Sequence, residues 1–162
     1  MGKSNPYEQI ALKYLPKGYR VKYRKRLSGM HYGSLNLIAT PKPMTAKSLY
    51  IFLHECAHAY LHIGSGQSAA PRHVQEMEAI LWAWDKMGKH NVPIPPEIIR
   101  RNRRYVARKI VQAERRGAKR IDPQAIEFAG EHLAEMRDLY QKICGKSQHP
   151  GALEEKAQSA AN

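Results

Sequence analysis

Cysteine is scarce in this chain. Cys56 and Cys144 are the only two among 162 residues, and they form no Cys-x-x-Cys pair. A secreted scaffold held by disulfides is thereby excluded, and a reducing compartment is expected. Long apolar runs are missing as well, so no segment is long enough to span a bilayer. The opening residues Met1-Gly2-Lys3-Ser4-Asn5-Pro6 carry no apolar signal core, which makes the cytoplasm the expected location. Acidic residues are few: 14 Asp and Glu stand against 27 Lys and Arg, a formal charge of +13. Such an imbalance implies attraction to an acidic partner, nucleic acid being the commonest. The basic residues gather in two blocks, Arg20 to Arg26 and Arg100 to Arg120, leaving the region between them close to neutral. The length suits one domain, or one domain with an appendage, that can bury a core without disulfides or oligomerisation.

What the chain does have is His54-Glu55-Cys56-Ala57-His58, set between the apolar stretches Leu49 to Leu53 and Ala57 to Leu61. On a helix, histidines four apart lie one turn above each other and can direct two imidazole nitrogens at one Zn2+. Glu55 then reaches a water on the metal rather than the metal itself. The apolar flanks matter. Burying a carboxylate beside two imidazoles costs several kcal/mol unless something compensates, and a metal does so. Cys56 points away from the histidines and reads as a small core residue.

Periodicity predicts an α+β fold. A short helix is expected over Tyr7 to Leu15, ended by Pro16-Lys17-Gly18. Alternation predicts a strand over Tyr19 to Leu27, a turn at Ser28-Gly29, and a second strand over Tyr32 to Ala39 with Leu35 and Leu37 on one side, giving a short N-terminal antiparallel sheet. The motif helix is expected from an N-cap at Thr45 to about Ile63, before the breaker run Gly64 to Ser68. Pro71 fits the first turn of the next helix, ending near Gly88; a proline-rich connector follows over His90 to Pro96. Two further helices are expected, a basic one from Pro96 to Arg116 and one opened by Asp122-Pro123 that continues to about Cys144. The last carries an apolar stripe of Ile126, Ala129, Leu133, Met136, Tyr140 and Ile143 for packing on the domain. The expected organisation is a core over 1–92, a basic helical extension over 93–145 packed on it, and a disordered tail over 146–162.

A catalytic zinc site needs a third protein ligand and an open position. The candidates are His62, His73, Glu76 and Glu78. His62 continues the face of His54 and His58, but His54 and His62 are about 12 Å apart along the axis, too far to share one ion. Helical phase separates the glutamates. Glu76 falls with Ile80, Ala83 and Met87 on an apolar face, about 200° round from Glu78 on a polar face with Trp82 and Asp85. Phase therefore favours Glu76. His73, one turn earlier on that face, is either a helix-start histidine or a donor beside the site.

His54-Glu55-Cys56-Ala57-His58, then His62, then Glu76-Met77-Glu78-Ala79 resembles the minimal gluzincins, most of all the ImmA/IrrE-type metallopeptidases, with SprT-like proteases as the next neighbour. The similarity covers roughly residues 30 to 87. It implies a zincin-like domain in which His54 and His58 are zinc ligands, Glu55 is the catalytic base and Glu76 is the third ligand. The expected reaction is hydrolysis of a protein or peptide substrate by a water that Glu55 deprotonates. The substrate would pair with the strand over Tyr32 to Ala39, and His31, Tyr32, His73 and Tyr105 are candidate oxyanion donors.

In the basic helix, Arg100, Arg101, Arg103, Arg104, Arg108, Lys109, Arg115 and Arg116 are joined by a single acid, Glu114, after the first turn. Uncompensated like charge there implies either a solvated face or contact with nucleic acid. The competing function is thus a basic nucleic-acid-binding module or regulator with a structural or non-catalytic zinc site.

Overall fold

The computed structural model describes residues 5–62 and 70–145. The breaker run 64–68, the expected helix end at Ile63 and the expected disordered tail 146–162 lie outside the described residues. Six helices and one small sheet follow in the order α1 (Pro6–Lys13), β1 (Arg20–Arg24), β2 (Met30–Tyr32), β3 (Leu37–Pro41), α2 (Ala46–Leu61), α3 (Arg72–Lys89), α4 (Pro96–Arg115), α5 (Pro123–Ala129) and α6 (His132–Gly145). The fold is α+β, and among the described residues no helix is long and apolar enough to cross a membrane.

The sheet is mixed rather than antiparallel. Its order is β1-β3-β2, with β1 parallel to β3 and β2 antiparallel to it. The expected strand over Tyr32 to Ala39 is cut by a 3-10 turn at Gly33–Leu35, after which Asn36 takes a left-handed conformation with φ 45°. That reversal folds β2 back along β3, pairing Met30 with Ala39 and Tyr32 with Leu37. Leu35 is consequently exposed in the turn instead of sharing a strand face with Leu37. β3 becomes the central strand, so the strand expected to receive substrate already has both edges paired. The open edges among the described residues belong to β1 and β2.

α2 is fixed at its start by the residue expected to cap it. The Thr45 hydroxyl accepts from the Ser48 N–H at 3.2 Å while the Ser48 hydroxyl accepts from the Thr45 N–H at 3.0 Å, a reciprocal box that satisfies orphan donors of the first turn. α2 is buried almost throughout, with Leu49, Phe52, Leu53, Cys56 and Ala57 fully enclosed. Burial pushes the Cys56 thiol well above its ordinary value, in keeping with its expected place in the core.

Two apolar clusters hold the helices. The first joins Ile38 of β3, the apolar face of α2, Ala83 and Met87 of α3 and Ile98 of α4. The second joins Met77 and Ile80 of α3 to Val106, Ala107 and Ile110 of α4 and to Ala125, Ala129, Leu133 and Met136. α4 thus enters both clusters. The expected continuous helix from Pro123 is instead two, because Gly130 with φ 56° ends α5 and α6 restarts at His132. The break resets the helical phase. Ala125 is buried where Ile126 was expected, and Ile126 and Ile143 are exposed.

A buried hydrogen bond ties α2 to α4: the Tyr50 hydroxyl donates to Asn102 Oδ1 at 3.0 Å, with both residues under a tenth exposed. Tyr50→Phe removes the donor and strands that acceptor. Chemical denaturation is expected to show a loss of about 1 to 3 kcal/mol.

Candidate metal centre

α2 and α3 pack side by side and bring His54, His58 and Glu76 together, so this group could hold a metal ion. His54 Nε2 lies 3.2 Å from His58 Nε2, and Glu76 Oε2 lies 3.3 Å from the first and 3.5 Å from the second. Three atoms each bound at 2.0–2.1 Å to one tetrahedral zinc stand about 3.3 Å apart. The donor triangle therefore has the dimensions of one face of a zinc tetrahedron. Glu76 points inward, 1 % exposed on the helix face it shares with the buried Ile80, Ala83 and Met87, whereas the Glu78 side chain is 45 % exposed.

Electrostatics keep Glu76 ionised. Burial pushes its carboxyl up, but hydrogen bonds and charge from His54 and His58 outweigh burial and hold it well below the usual carboxylate range. Its second oxygen, Oε1, stands 2.7 Å from the Arg72 guanidinium one turn earlier on α3. One oxygen faces the imidazoles and the other faces a cation.

His62, set aside as a ligand by distance, instead contacts His58. Its Nε2 lies 2.9 Å from Glu78 Oε2 and its Nδ1 lies 3.1 Å from His58 Nδ1. With Glu78 accepting from His62 Nε2–H, the His62 Nδ1 lone pair accepts from His58 Nδ1–H. With Nδ1 so engaged, His58 Nε2, which faces Glu76 Oε2, is the nitrogen that would meet a metal. Helical phase places Glu78 outward and does not reveal the chain Glu78–His62–His58. The i,i+4 spacing of His58 and His62 was the available signal.

Glu55 stands beside the triangle, 8 % exposed and not part of it. Burial raises its carboxyl to about 7; His58, Arg72 and Arg24 pull it down and Glu76 pushes it up. Gly29 makes room for it: a Cβ at that position would lie 2.4 Å from Glu55 Oε1 and 2.5 Å from its Cγ. The sequence marked Gly29 only as a turn residue. Nothing local reveals that its missing side chain is occupied by a carboxylate 26 positions later.

A cavity of about 380 Å3 opens over these groups, walled by Gly29, Met30 and His31 on one side and by Arg72, Gln75 and Tyr105 on the other. Of the four candidate donors, His31 and Tyr105 line it and Tyr32 and His73 do not. His31 Nε2 pairs with the Tyr19 hydroxyl at 3.1 Å, and burial, then His58 and His62, lower it to about 4. It is neutral at pH 7. Tyr105 on α4 is raised by burial and by Glu76, so its phenol keeps its proton. His73 faces elsewhere and receives the Asp122 N–H at 3.4 Å.

Elemental analysis after equilibrium dialysis is expected to find about one zinc per chain in wild type and in Gly29→Ala, and almost none in Glu76→Ala. Removing the supporting imidazole with His62→Ala is expected to weaken zinc binding roughly 10- to 100-fold. Retention of full affinity by Glu76→Ala would remove that residue from the site.

No family model, no curated protein and no solved structure matches the chain, so the chemistry of this centre is read from its own geometry.

Proposed function

We propose that this protein is a zinc-dependent metallopeptidase. The observation that supports the reading most is Glu55: a buried carboxylate without an ion-pair partner among the described residues, held beside a three-donor triangle and raised to about 7. A structural zinc site is closed by a fourth protein ligand and has no use for such a group. Here the open face of the triangle gives onto a cavity.

His54, His58 and Glu76 are the residues that would hold the ion. The chemistry zinc supplies when held there is Lewis acidity, which acidifies a water and polarises a carbonyl. Glu55 accepts the water's proton on its carboxylate and returns it to the leaving amine. Tyr105, neutral and on the cavity wall, donates to the oxygen that gains charge. The edge of β2, Met30–Tyr32, offers backbone groups to an extended peptide beside the triangle, the role first expected of the strand now found in the middle of the sheet.

Gly29→Ala and Glu55→Gln separate binding from catalysis. Both leave zinc in place, and both lower kcat for a generic protein substrate: Glu55→Gln by about 10²- to 10⁴-fold, the range for a lost general base. Unchanged turnover in Glu55→Gln would contradict the mechanism.

The exposed side of α4 supports a second contact, with nucleic acid, which would bring the peptidase to nucleic-acid-associated proteins. Arg100, Arg101, Arg103, Arg104, Arg108, Arg115 and Arg116 are exposed there and Lys109 is partly so, and none has an ion-pair partner among the described residues. Glu114, the acid within the run, is engaged by Arg137 of α6. Duplex DNA affinity is expected to fall steeply with salt, the logarithmic slope shrinking by about one for each contacting arginine replaced. A salt-independent affinity would contradict phosphate contact.

A further inference from the structure

We infer that a second cavity, beside the metal pocket at the N-terminus of α3, is a binding site for an oxyanion carried by a peptide, such as the carboxylate of an acidic side chain. Its volume is about 380 Å3, and Arg72 lines both it and the metal pocket. The other walls that matter are His73, Lys109 and Arg116.

Three independent features point to a negative ligand. Among the described residues α3 begins without a side-chain cap: Pro71, at the N-cap position rather than in the expected first turn, has no group to receive the first-turn N–H groups. An 18-residue helix therefore presents its free N–H groups and positive end to this recess. The His73 ring, 1 % exposed, supplies the second feature. Its Nε2 accepts from the Asp122 N–H, so the ring hydrogen resides on Nδ1, and that buried Nδ1–H has no acceptor among the described residues. The third is the crowding of Arg72, Lys109 and Arg116 around a cavity with no acidic side chain among the described residues of its lining. Burial lowers Lys109; Glu76 raises it, and Arg108, Arg72 and Arg116 lower it further. An anion would relieve that repulsion and receive several charge-assisted hydrogen bonds.

A recess suits one terminal group, whereas a nucleic-acid backbone suits the open arginine face of α4. Choosing a peptide as the bearer rests on the hydrolytic reading; occupancy by an oxyanion does not. Arg72 links the two cavities, since its guanidinium also touches Glu76. A peptide with its scissile bond at the triangle would thus place an acidic residue on the Arg72 side.

Nitrogen-resolved spectra of the full chain test the site without turnover. Inorganic phosphate is expected to shift the backbone amides of Arg72 and His73 and the His73 Nδ1–H. A blocked alanine pentapeptide with a central glutamate is expected to shift the same signals and to bind at least about ten-fold more tightly than its glutamine counterpart. Lys109→Gln combined with Arg116→Gln, both at partly or fully exposed positions, is expected to bring the two peptides within about two-fold of each other. Absence of a phosphate response at these groups overturns the oxyanion site. Equal binding of the glutamate and glutamine peptides to wild type, or a response to single-stranded DNA without one to the glutamate peptide, overturns the peptide assignment. None of these outcomes depends on Glu55, so loss of the hydrolytic reading would be seen separately in Glu55→Gln.

Discussion

A carboxylate facing two imidazoles inside a protein is the constraint from which the remaining geometry follows. Taking Glu76 out of water costs several kcal/mol unless its charge is met on every side. The chain meets it with His54 and His58 on one oxygen and Arg72 on the other. Donor separations of 3.2, 3.3 and 3.5 Å are compatible with ligands around one tetrahedral metal ion. They require α2 and α3 to keep a fixed spacing and phase. The capping box at Thr45, the two apolar clusters and the Tyr50–Asn102 bond all serve that spacing.

Around the triangle, the pieces divide by task. Glu78 and His62 engage Nδ1 of His58 and leave Nε2 to face the triangle, Gly29 yields its volume to Glu55, and α4 contributes Tyr105 to the cavity wall. α4 therefore has two different faces: one closes the pocket and carries both apolar clusters, and the other displays arginines that lack acidic partners among the described residues. Charge and chemistry meet at Arg72, which balances Glu76 and lines both cavities.

Much of the candidate site was legible because helical periodicity is local. The i,i+4 histidines and the phase of Glu76 against Ile80, Ala83 and Met87 need only one residue's rise and rotation to be known. The sheet was harder. Alternation marks strands but says nothing of pairing, and the reversal depends on Asn36 adopting φ 45°, which its sequence neighbours do not demand. Gly130 ends α5 inside an apolar stripe whose helical spacing runs across it, so spacing alone does not show the break. Gly29 and the uncapped start of α3 acquire meaning only when distant residues arrive beside them.

The central claim is that two imidazole nitrogens and one carboxylate oxygen hold zinc without sulfur, although Cys56 sits between the histidines in sequence. X-ray absorption at the zinc edge of the purified, zinc-loaded protein addresses it most directly. The account predicts nitrogen and oxygen scatterers alone, at about 2.0 to 2.2 Å, with outer-shell features of two imidazoles. A sulfur scatterer at about 2.3 Å, or a shell without imidazole, would contradict it.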